Sequence, residues 1–262
     1  MPKVVDIIKI IERNAPLSSA VEFENAGLNF GDEQAEVTGI LLAENVTYST
    51  IDECAESGCN LLITHHPCLF GEEPDEYMKS LVERARRKRI NLYSCHTNLD
   101  CCDGGLNDTV ANLIGMTNIS KIDGCARRGD IRPVKLKELA ADVAVKLKDD
   151  CVKYVGDAEK IIASAALCTG AGARDEELVE YAKNNGVDCI IGGESKLSIA
   201  LTAMDYGLSI IDVGHYTSEI ICTDIFLSWL KEYSYLIKVA QSDIDPYKSI
   251  NKSLVTRQRS KI

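Results

Sequence analysis

Short apolar runs alternate with segments of helical spacing along most of this chain. Strand-like runs lie at 37–43, 60–64, 90–95, 161–168, 188–191 and 208–213. Amphipathic helices are predicted around them at 2–13, 47–58, 74–89, 106–115, 134–148, 173–185, 195–206 and 217–232. Strands joined by helix-length crossovers are typical of parallel-rich sheets flanked by helices. The expected fold class is therefore α/β.

The length of 262 residues allows one large domain or two lobes. Residues 121–133 are the stretch most loaded with glycine, charge and proline. Such composition is typical of a connection between compact units. A lobe boundary is therefore predicted there.

The charge of the chain excludes some classes of partner. Its 29 basic and 40 acidic residues give a formal net charge of −11, so no overall cationic field would attract DNA or anionic lipid. No apolar run approaches the ~18 residues that span a bilayer, and charges interrupt the N-terminal segment where a signal peptide is apolar. We therefore expect a cytoplasmic protein without a membrane partner, and direct DNA binding is disfavoured.

The eleven cysteines are odd in number and scattered, and none forms a C-x-x-C pair. Without an export signal, a disulfide framework is the weakest interpretation. We expect mostly free thiols, several of them acting as small core residues.

All four histidines of the chain follow an apolar run directly. His65 and His66 come after 60–64, His96 after 90–95, and His215 after 208–213. Ligands of open α/β sheets bind beyond the carboxyl ends of the strands. Three strand ends can therefore bring these imidazoles to one crevice.

Carboxylates accompany the histidines at spacings that suit a metal site. Asp100 lies four residues after His96, and Glu219 lies four residues after His215 on a predicted helix, which places both on one face. Imidazoles with carboxylates suit zinc, iron, manganese, cobalt or nickel and are too rich in nitrogen for calcium. Two alternatives remain, namely hydrogen-bonded core histidines and a metal-free histidine–carboxylate acid/base site.

Several motifs resemble those of the Nif-three-like dinuclear metal-centre family, whose members are often called GTP cyclohydrolase 1 type 2 homologues. They are LLITHHPCLF, HTNLDCCDGGLND, CTGAGARDEELVEYAKNNGVDCIIGGE and DVGHYTSE, with ENAGLNFGD near the start and IDPYKSI near the end. The chain resembles the short form, which lacks an inserted middle domain. Glu24 stands where many members carry an aspartate.

The resemblance implies a fold and an assembly. It implies one unit over 1–262 made of two intertwined α/β lobes with mixed sheets, and a metal site in the cleft between them. With the boundary above, lobe A is expected to comprise 1–124 and 222–262, and lobe B 125–221. A ring-shaped homohexamer is also implied.

The resemblance further implies the roles of individual residues. The metal ligands would be His65, His66, Asp100, His215 and Glu219, with Glu219 bridging two divalent ions. His96 would orient a ligand or contact the substrate, so it is a candidate catalytic residue. Glu194 is a candidate proton shuttle, and Gly193 and Ser195 are candidate substrate-binding residues.

Two divalent ions and two carboxylates would leave the site positively charged even with a bridging hydroxide, and so attractive to phosphate. The first functional hypothesis is a metal-dependent hydrolase of a phosphorylated or nucleotide-like substrate. GTP ring opening is the candidate reaction by resemblance alone. The alternative is a non-catalytic protein that binds or delivers metal or serves regulation.

Overall fold

The computed structural model describes residues 1–21, 24–69, 74–122, 124–149 and 151–248. The predicted lobe A residues 249–262, with the last two residues of IDPYKSI, lie outside the described residues. No helix of the described part is long and apolar enough to cross a membrane.

Ten α-helices and eleven strands follow one another along the described residues. The helices are α1 (Val4–Asn14), α2 (Tyr48–Glu56), α3 (Glu76–Lys88), α4 (Thr97–Cys101), α5 (Leu106–Ile114), α6 (Leu136–Leu147), α7 (Glu176–Asn184), α8 (Leu197–Asp205), α9 (His215–Glu219) and α10 (Cys222–Trp229). The strands are β1 (Gly27–Phe30), β2 (Gly39–Ala43), β3 (Leu61–Thr64), β4 (Asn91–Ser94), β5 (Thr117–Lys121), β6 (Arg127–Lys135), β7 (Lys153–Val155), β8 (Ile161–Cys168), β9 (Cys189–Gly192), β10 (Ser209–Asp212) and β11 (Lys238–Gln241).

The chain divides into two compact units. Unit 1 comprises Met1–Leu106 and Glu219–Ile244, and unit 2 comprises Asn107–Ser218 with the segment from Asp245 onward. The first boundary between the units lies after Leu106, before the boundary predicted at residue 124. The reason is that β5 and β6 both belong to the sheet of unit 2.

Unit 1 contains a five-stranded sheet in the order β1-β4-β3-β2-β11. Strands β11, β2, β3 and β4 run parallel, and β1 is antiparallel at the edge. Every residue of β2, β3 and β4 is buried, as expected for parallel strands covered on both faces. Helices α2 and α3 cover the sheet with Ile51, Cys54, Leu81 and Ala85.

Helix α3 begins at Glu76, two residues later than the sequence predicted. Asp75 caps it by accepting a hydrogen bond of 2.7 Å from the backbone N–H of Met78, so Pro74 precedes the cap. Basic residues occupy the last turn, where the helix dipole favours positive charge.

Unit 2 contains a six-stranded sheet in the order β5-β6-β8-β9-β10-β7. Its centre, β8, β9 and β10, is parallel, and β5, β6 and β7 pair antiparallel. The apolar side chains of α7 and α8 pack on this centre, among them Leu178, Ala182, Ile199 and Ala203. The predicted α/β class with two mixed sheets flanked by helices is confirmed, although the sequence did not locate the antiparallel strands β1, β5, β6 and β7.

The predicted helix 217–232 is two helices, α9 and α10. The hydroxyl of Ser218 donates a hydrogen bond of 2.8 Å to the carbonyl of His215 and thereby competes with the backbone for this acceptor. Apolar periodicity continues across the break, which is why the sequence pattern did not indicate it. The break leaves Glu219 at the end of a one-turn helix.

Candidate metal centre

Three neighbouring parallel strands of unit 1 end at one edge of their sheet. Ala43 pairs with Thr64, and Thr64 with Ser94, so β2, β3 and β4 end at the same level. The next residues along the chain are Glu44 after β2, His65 and His66 after β3, and, one residue further, His96 after β4. The strand ends thus gather three of the four imidazoles and a carboxylate, whereas β10, which precedes His215, belongs to the sheet of unit 2.

His65 is the most enclosed of these side chains and is fully buried. Its Nδ1 lies 3.0 Å from the carbonyl oxygen of Cys95, which fixes the ring. Its Nε2 lies 3.5 Å from Oε2 of Glu219 and 3.7 Å from Oδ1 of Asp100. Nε2 has no hydrogen-bond partner within the described residues, because these separations exceed hydrogen-bond length.

His66 shares a carboxylate oxygen with His65. Its Nδ1 lies 2.8 Å from the side-chain oxygen of Asn45, and its Nε2 lies 3.1 Å from Oε2 of Glu219. Both paired imidazoles therefore direct Nε2 towards one oxygen of Glu219. A carboxylate between two imidazoles is the arrangement that a bridging ligand requires.

His96 completes a group of three imidazoles. Its ring centroid lies 5.2 Å from that of His65 and 5.3 Å from that of His66. One ring nitrogen of each of the three imidazoles lies within 4.8 Å of a ring nitrogen of the other two. Nδ1 of His96 contacts Oε2 of Glu24 at 3.0 Å, so Nε2 is the nitrogen left for the centre.

Asp100 reaches the group from α4, which starts directly after His96. The turn is anchored by Asn98, whose side-chain amide donates to the carbonyl of Ala15 at 2.8 Å. Asp100 is buried, and this desolvation raises the pKa of its carboxyl although His65 lowers it.

The electrostatics of the paired histidines differ. Burial lowers the pKa of His65, but the charges of Asp100 and Glu219 outweigh this effect and raise it to about 10. Burial lowers the pKa of His66 to about 4, so its imidazole is neutral near pH 7. Two buried carboxylates therefore demand a positive charge beside His65, which either a proton or a cation can supply.

The donors fit a transition metal. A buried ring nitrogen without a hydrogen-bond partner faces two carboxylate oxygens at distances longer than a hydrogen bond. Within unit 1, ligand atoms of Glu44, His66 and Glu219 also lie within 4.8 Å of one another. Mixed imidazole and carboxylate donors suit zinc, iron, manganese, cobalt or nickel.

Sequence reasoning missed three residues around the histidines: Glu24, Glu44 and Asn45. Glu44 and Asn45 directly follow β2, so the rule that selected the histidines would have found them had it been applied to acids and amides as well. Glu24 was noted only as a departure from the family's aspartate, because its contact with His96 joins distant parts of the chain.

His215 belongs to unit 2, where it follows β10 as the first residue of α9. Its Nδ1 lies 3.0 Å from Oε1 of Glu194. The other carboxylate oxygen of Glu194 accepts a hydrogen bond of 3.1 Å from Arg174. The helix places His215 one turn before Glu219, at the predicted spacing of four residues.

Gly193 and Ser195, predicted to bind substrate, have packing roles in unit 2. A Cβ at Gly193 would lie 2.7 Å from the carbonyl oxygens of both Gly170 and Gly214. Ser195 donates its backbone N–H at 3.1 Å and its hydroxyl at 3.2 Å to Asp212. Substrate binding by either residue stays a prediction.

A cavity of about 880 Å³ opens in unit 2 beside His215. Four basic side chains line it: Lys153, Arg174, Lys196 and Lys248. Arg174 pairs with Glu194, whereas the three lysines have no ion pair among the described residues. Tyr216 and Tyr247 supply aromatic surface.

The thiols contribute little to this chemistry. Nine of the eleven cysteines lie outside a disulfide bond, and seven of these are buried, including Cys54, Cys68 and Cys222. Burial raises the pKa of the Cys68 thiol to about 12 and raises that of Cys54 further. Protonated buried thiols are poor metal ligands, so the expected core role suits them better.

Comparison with known proteins identifies relatives over the whole chain. The sequence profile of Duf34/NIF3 (NGG1p interacting factor 3) matches residues 2–247. A Clostridium acetobutylicum protein named GTP cyclohydrolase 1 type 2 homolog is 35% identical over 94% of this chain and 98% of its own length. A Lactococcus lactis protein of the same name is 30% identical over 82% of this chain and 86% of its own length.

Solved structures share the fold. A Staphylococcus aureus protein has a TM-score of 0.84 at 26% identity, covering 95% of this chain and 99% of its own. HcgD from Methanocaldococcus jannaschii, in its reduced form, has a TM-score of 0.82 at 26% identity, covering 93% and 98%. A Bacillus cereus protein related to NIF3 has a TM-score of 0.85 at 19% identity, covering 95% and 99%, which supports the fold alone.

Proposed function

Because this chain belongs to the Duf34/NIF3 family, we propose that it is a dinuclear-metal-dependent hydrolase of a phosphorylated or nucleotide-like substrate. The observation that carries the proposal is the buried Nε2 of His65 facing oxygens of Asp100 and Glu219. Hydrogen-bonded core histidines would have both ring nitrogens satisfied. The first alternative raised by the sequence is therefore disfavoured.

The ligands proposed for the two ions are His65, His66, Asp100, His215 and Glu219. Glu219 is the proposed bridging ligand, since one of its oxygens faces two imidazoles. His96 contacts both rings and is proposed either to complete the ligand set or to meet the substrate. The position of the centre between the lobes stays a prediction.

The chain's own residues would orient those ligands and exclude water. Cys95, Asn45 and Glu24 each place an oxygen against Nδ1 of a histidine, which leaves Nε2 for the cation. When bound, a pair of divalent ions would supply Lewis acidity and make water nucleophilic near neutral pH.

The phosphorylated substrate class is supported by the cavity of unit 2. Lys153, Lys196 and Lys248 line it without ion pairs among the described residues. Four carboxylates also line the cavity, and each has a partner: Glu194 meets Arg174, and Asp212, Asp149 and Asp245 accept backbone N–H groups of Ser195, Cys151 and Tyr247. Three available ammonium groups suit a phosphate, and the tyrosines suit a planar base.

Metal content tests the centre. Protein purified without chelator is expected to hold about two ions per chain by elemental analysis, following the two-metal arrangement. Glu219→Gln should lose at least one ion, whereas Glu53→Gln, which changes a carboxylate bonded to Ser242 in the same unit, should keep both. Equal metal content in both variants would refute the assignment of Glu219.

Turnover tests the reaction. Metal-loaded protein should release formate from GTP or hydrolyse another member of a nucleotide and phosphoester panel, and His65→Ala with His66→Ala should abolish this. Activity that survives the double substitution would defeat the hydrolase proposal. Rapid metal exchange with no turnover of any substrate would instead support metal delivery.

A further inference from the structure

Glu194 is held by contacts at both of its carboxylate oxygens. Oε1 lies 3.0 Å from Nδ1 of His215, and Oε2 accepts a hydrogen bond of 3.1 Å from Arg174. The guanidinium fixes the carboxylate and balances its charge. The carboxylate therefore presents an acceptor oxygen to Nδ1 of His215 in one fixed orientation.

The backbone of Glu194 adopts a conformation that glutamate rarely takes. Its φ of 53° lies in the left-handed region, which costs free energy for a residue with a side chain. Such outliers persist where the surroundings enforce them, and they are frequent at functional sites.

The neighbours of Glu194 enforce this conformation. Gly193 packs between the carbonyls of Gly170 and Gly214 so closely that no Cβ fits. On the other side, Ser195 donates its N–H to Asp212, which also accepts from the N–H of Gly214 at 3.0 Å. The loops after β8, β9 and β10 are thereby tied together, and the strained residue aims its side chain at His215.

We propose that Glu194 is a positioning residue that holds His215 as the Nδ1–H tautomer and leaves Nε2 to ligate a divalent cation. The role rests on the proposed metal centre, and it differs from the proton transfer expected from the sequence. A carboxylate behind a ligating histidine fixes its tautomer and increases its basicity, and loss of such a partner costs about 10–100-fold in metal affinity.

Glu194→Gly distinguishes a positioning role from a merely structural one. A positioning role predicts weaker metal binding without loss of stability, whereas a structural role predicts a loss of both. Glycine accepts a positive φ without strain, so the metal-free variant should unfold at the same or a higher temperature than the parent. Its affinity for one zinc ion, measured by competition with a chromophoric chelator, should fall about 10–100-fold. Glu194→Gln keeps an acceptor oxygen without the charge and should give an intermediate affinity.

Lys148→Gly is the matched control. Lys148 also has a positive φ, 58°, and lies in unit 2 at the end of α6 outside the cavity. This variant should show a comparable change of unfolding temperature with unchanged zinc affinity. Parental zinc affinity in Glu194→Gly, or a joint loss of stability and affinity, would overturn the proposal.

A second measurement does not depend on bound metal. Two-bond ¹H–¹⁵N correlation spectra of the metal-free protein near pH 8 report which nitrogen of His215 carries the proton. The Nδ1–H form is expected in the parent and a mixture in Glu194→Gly. An Nε2–H form in the parent would overturn the positioning role. Absence of zinc binding with the Nδ1–H form present would defeat the metal function while keeping the orientation by Glu194.

Discussion

Arg127 places a guanidinium in the interior of unit 2, where it is only 1% exposed. It forms an ion pair with Asp108 and donates a hydrogen bond of 2.7 Å to the carbonyl of Cys125. A buried cation is tolerated only when paired and hydrogen-bonded. This residue therefore ties α5 to the start of β6.

Asp108→Ala should destabilise unit 2, because it removes the carboxylate beside a buried charge. We expect the free energy of unfolding to fall by about 2–3 kcal/mol. This is at or below the usual range for a broken buried ion pair, because the Asp108 side chain is 20% exposed. Urea unfolding monitored by circular dichroism measures it. Asp108→Leu combined with Arg127→Met should recover much of the loss, and a double variant as unstable as Asp108→Ala would contradict this explanation.

At the scale of elements, α2 and α3 are joined by ion pairs from Asp52 to Arg84 and Lys88. Hydrogen bonds from Arg84 and then Lys88 hold the pKa of Asp52 at about 2, below its ordinary value near 3.8. A depressed folded-state pKa stabilises the fold above pH 3.8, and this contribution disappears as the pH falls to about 2.

Asp52→Asn should therefore lower stability near neutral pH and have no effect near pH 2. Thermal unfolding of the parent and the variant at several pH values between 7 and 2 measures the difference. Because these charged side chains are partly exposed to solvent, added salt should also shrink the difference. If Asp52→Asn unfolds at the same temperature as the parent at pH 7, these ion pairs contribute nothing to the stability of the fold.

The sequence predicted those elements that a local run of apolar residues is enough to identify. Strands β2, β3, β4, β8, β9 and β10 are near-continuous apolar runs, and all lie within one or two residues of their predicted positions. Strand β6 was taken for a linker because its inward positions are Arg127, Gly129 and Ile131, of which only the last looks apolar. Its burial depends on Asp108, which no local pattern reveals.

The candidate site likewise contains residues that the sequence could predict and residues that it could not. Histidines directly after strands could be recognised because strand ends converge, and the structure brings His65, His66, His96, Asp100 and Glu219 together in unit 1. Of the groups behind the rings, Asn45 could have been found by the same rule because it follows β2, whereas Glu24 meets His96 through a contact between distant parts of the chain. A left-handed glutamate at position 194 has no sequence signature at all.

At the scale of the whole molecule, α8 presents an apolar stripe to solvent. Leu197, Leu201 and Met204 are 76%, 53% and 61% exposed, and their spacing places them on one face of the helix. A stripe of this kind is a candidate contact between copies of the chain. The homohexamer implied by the family resemblance stays a prediction, and this face is our candidate for one of its contacts.

Leu201→Glu should weaken self-association by placing a charge in that contact. Sedimentation velocity of the parent should give a mass near six chains, and the variant should shift to smaller species. Ser198→Glu adds the same charge to an exposed position of the same helix outside the stripe and should leave the mass unchanged. A monomeric parent would refute the assembly, and a hexameric Leu201→Glu would exclude this face.

The division of unit 1 into two chain segments sets an order of events during synthesis. Glu219 and strand β11 are translated after nearly all of unit 2, and Glu219 follows Asp100 by 119 residues. At about 5–20 residues per second, this interval lasts about 6–24 s on the ribosome. For that time the nascent chain carries His65, His66 and His96 beside an incomplete sheet without the carboxylate of Glu219. At the proposed metal centre, selection of the ion would therefore be postponed until the polypeptide is almost finished.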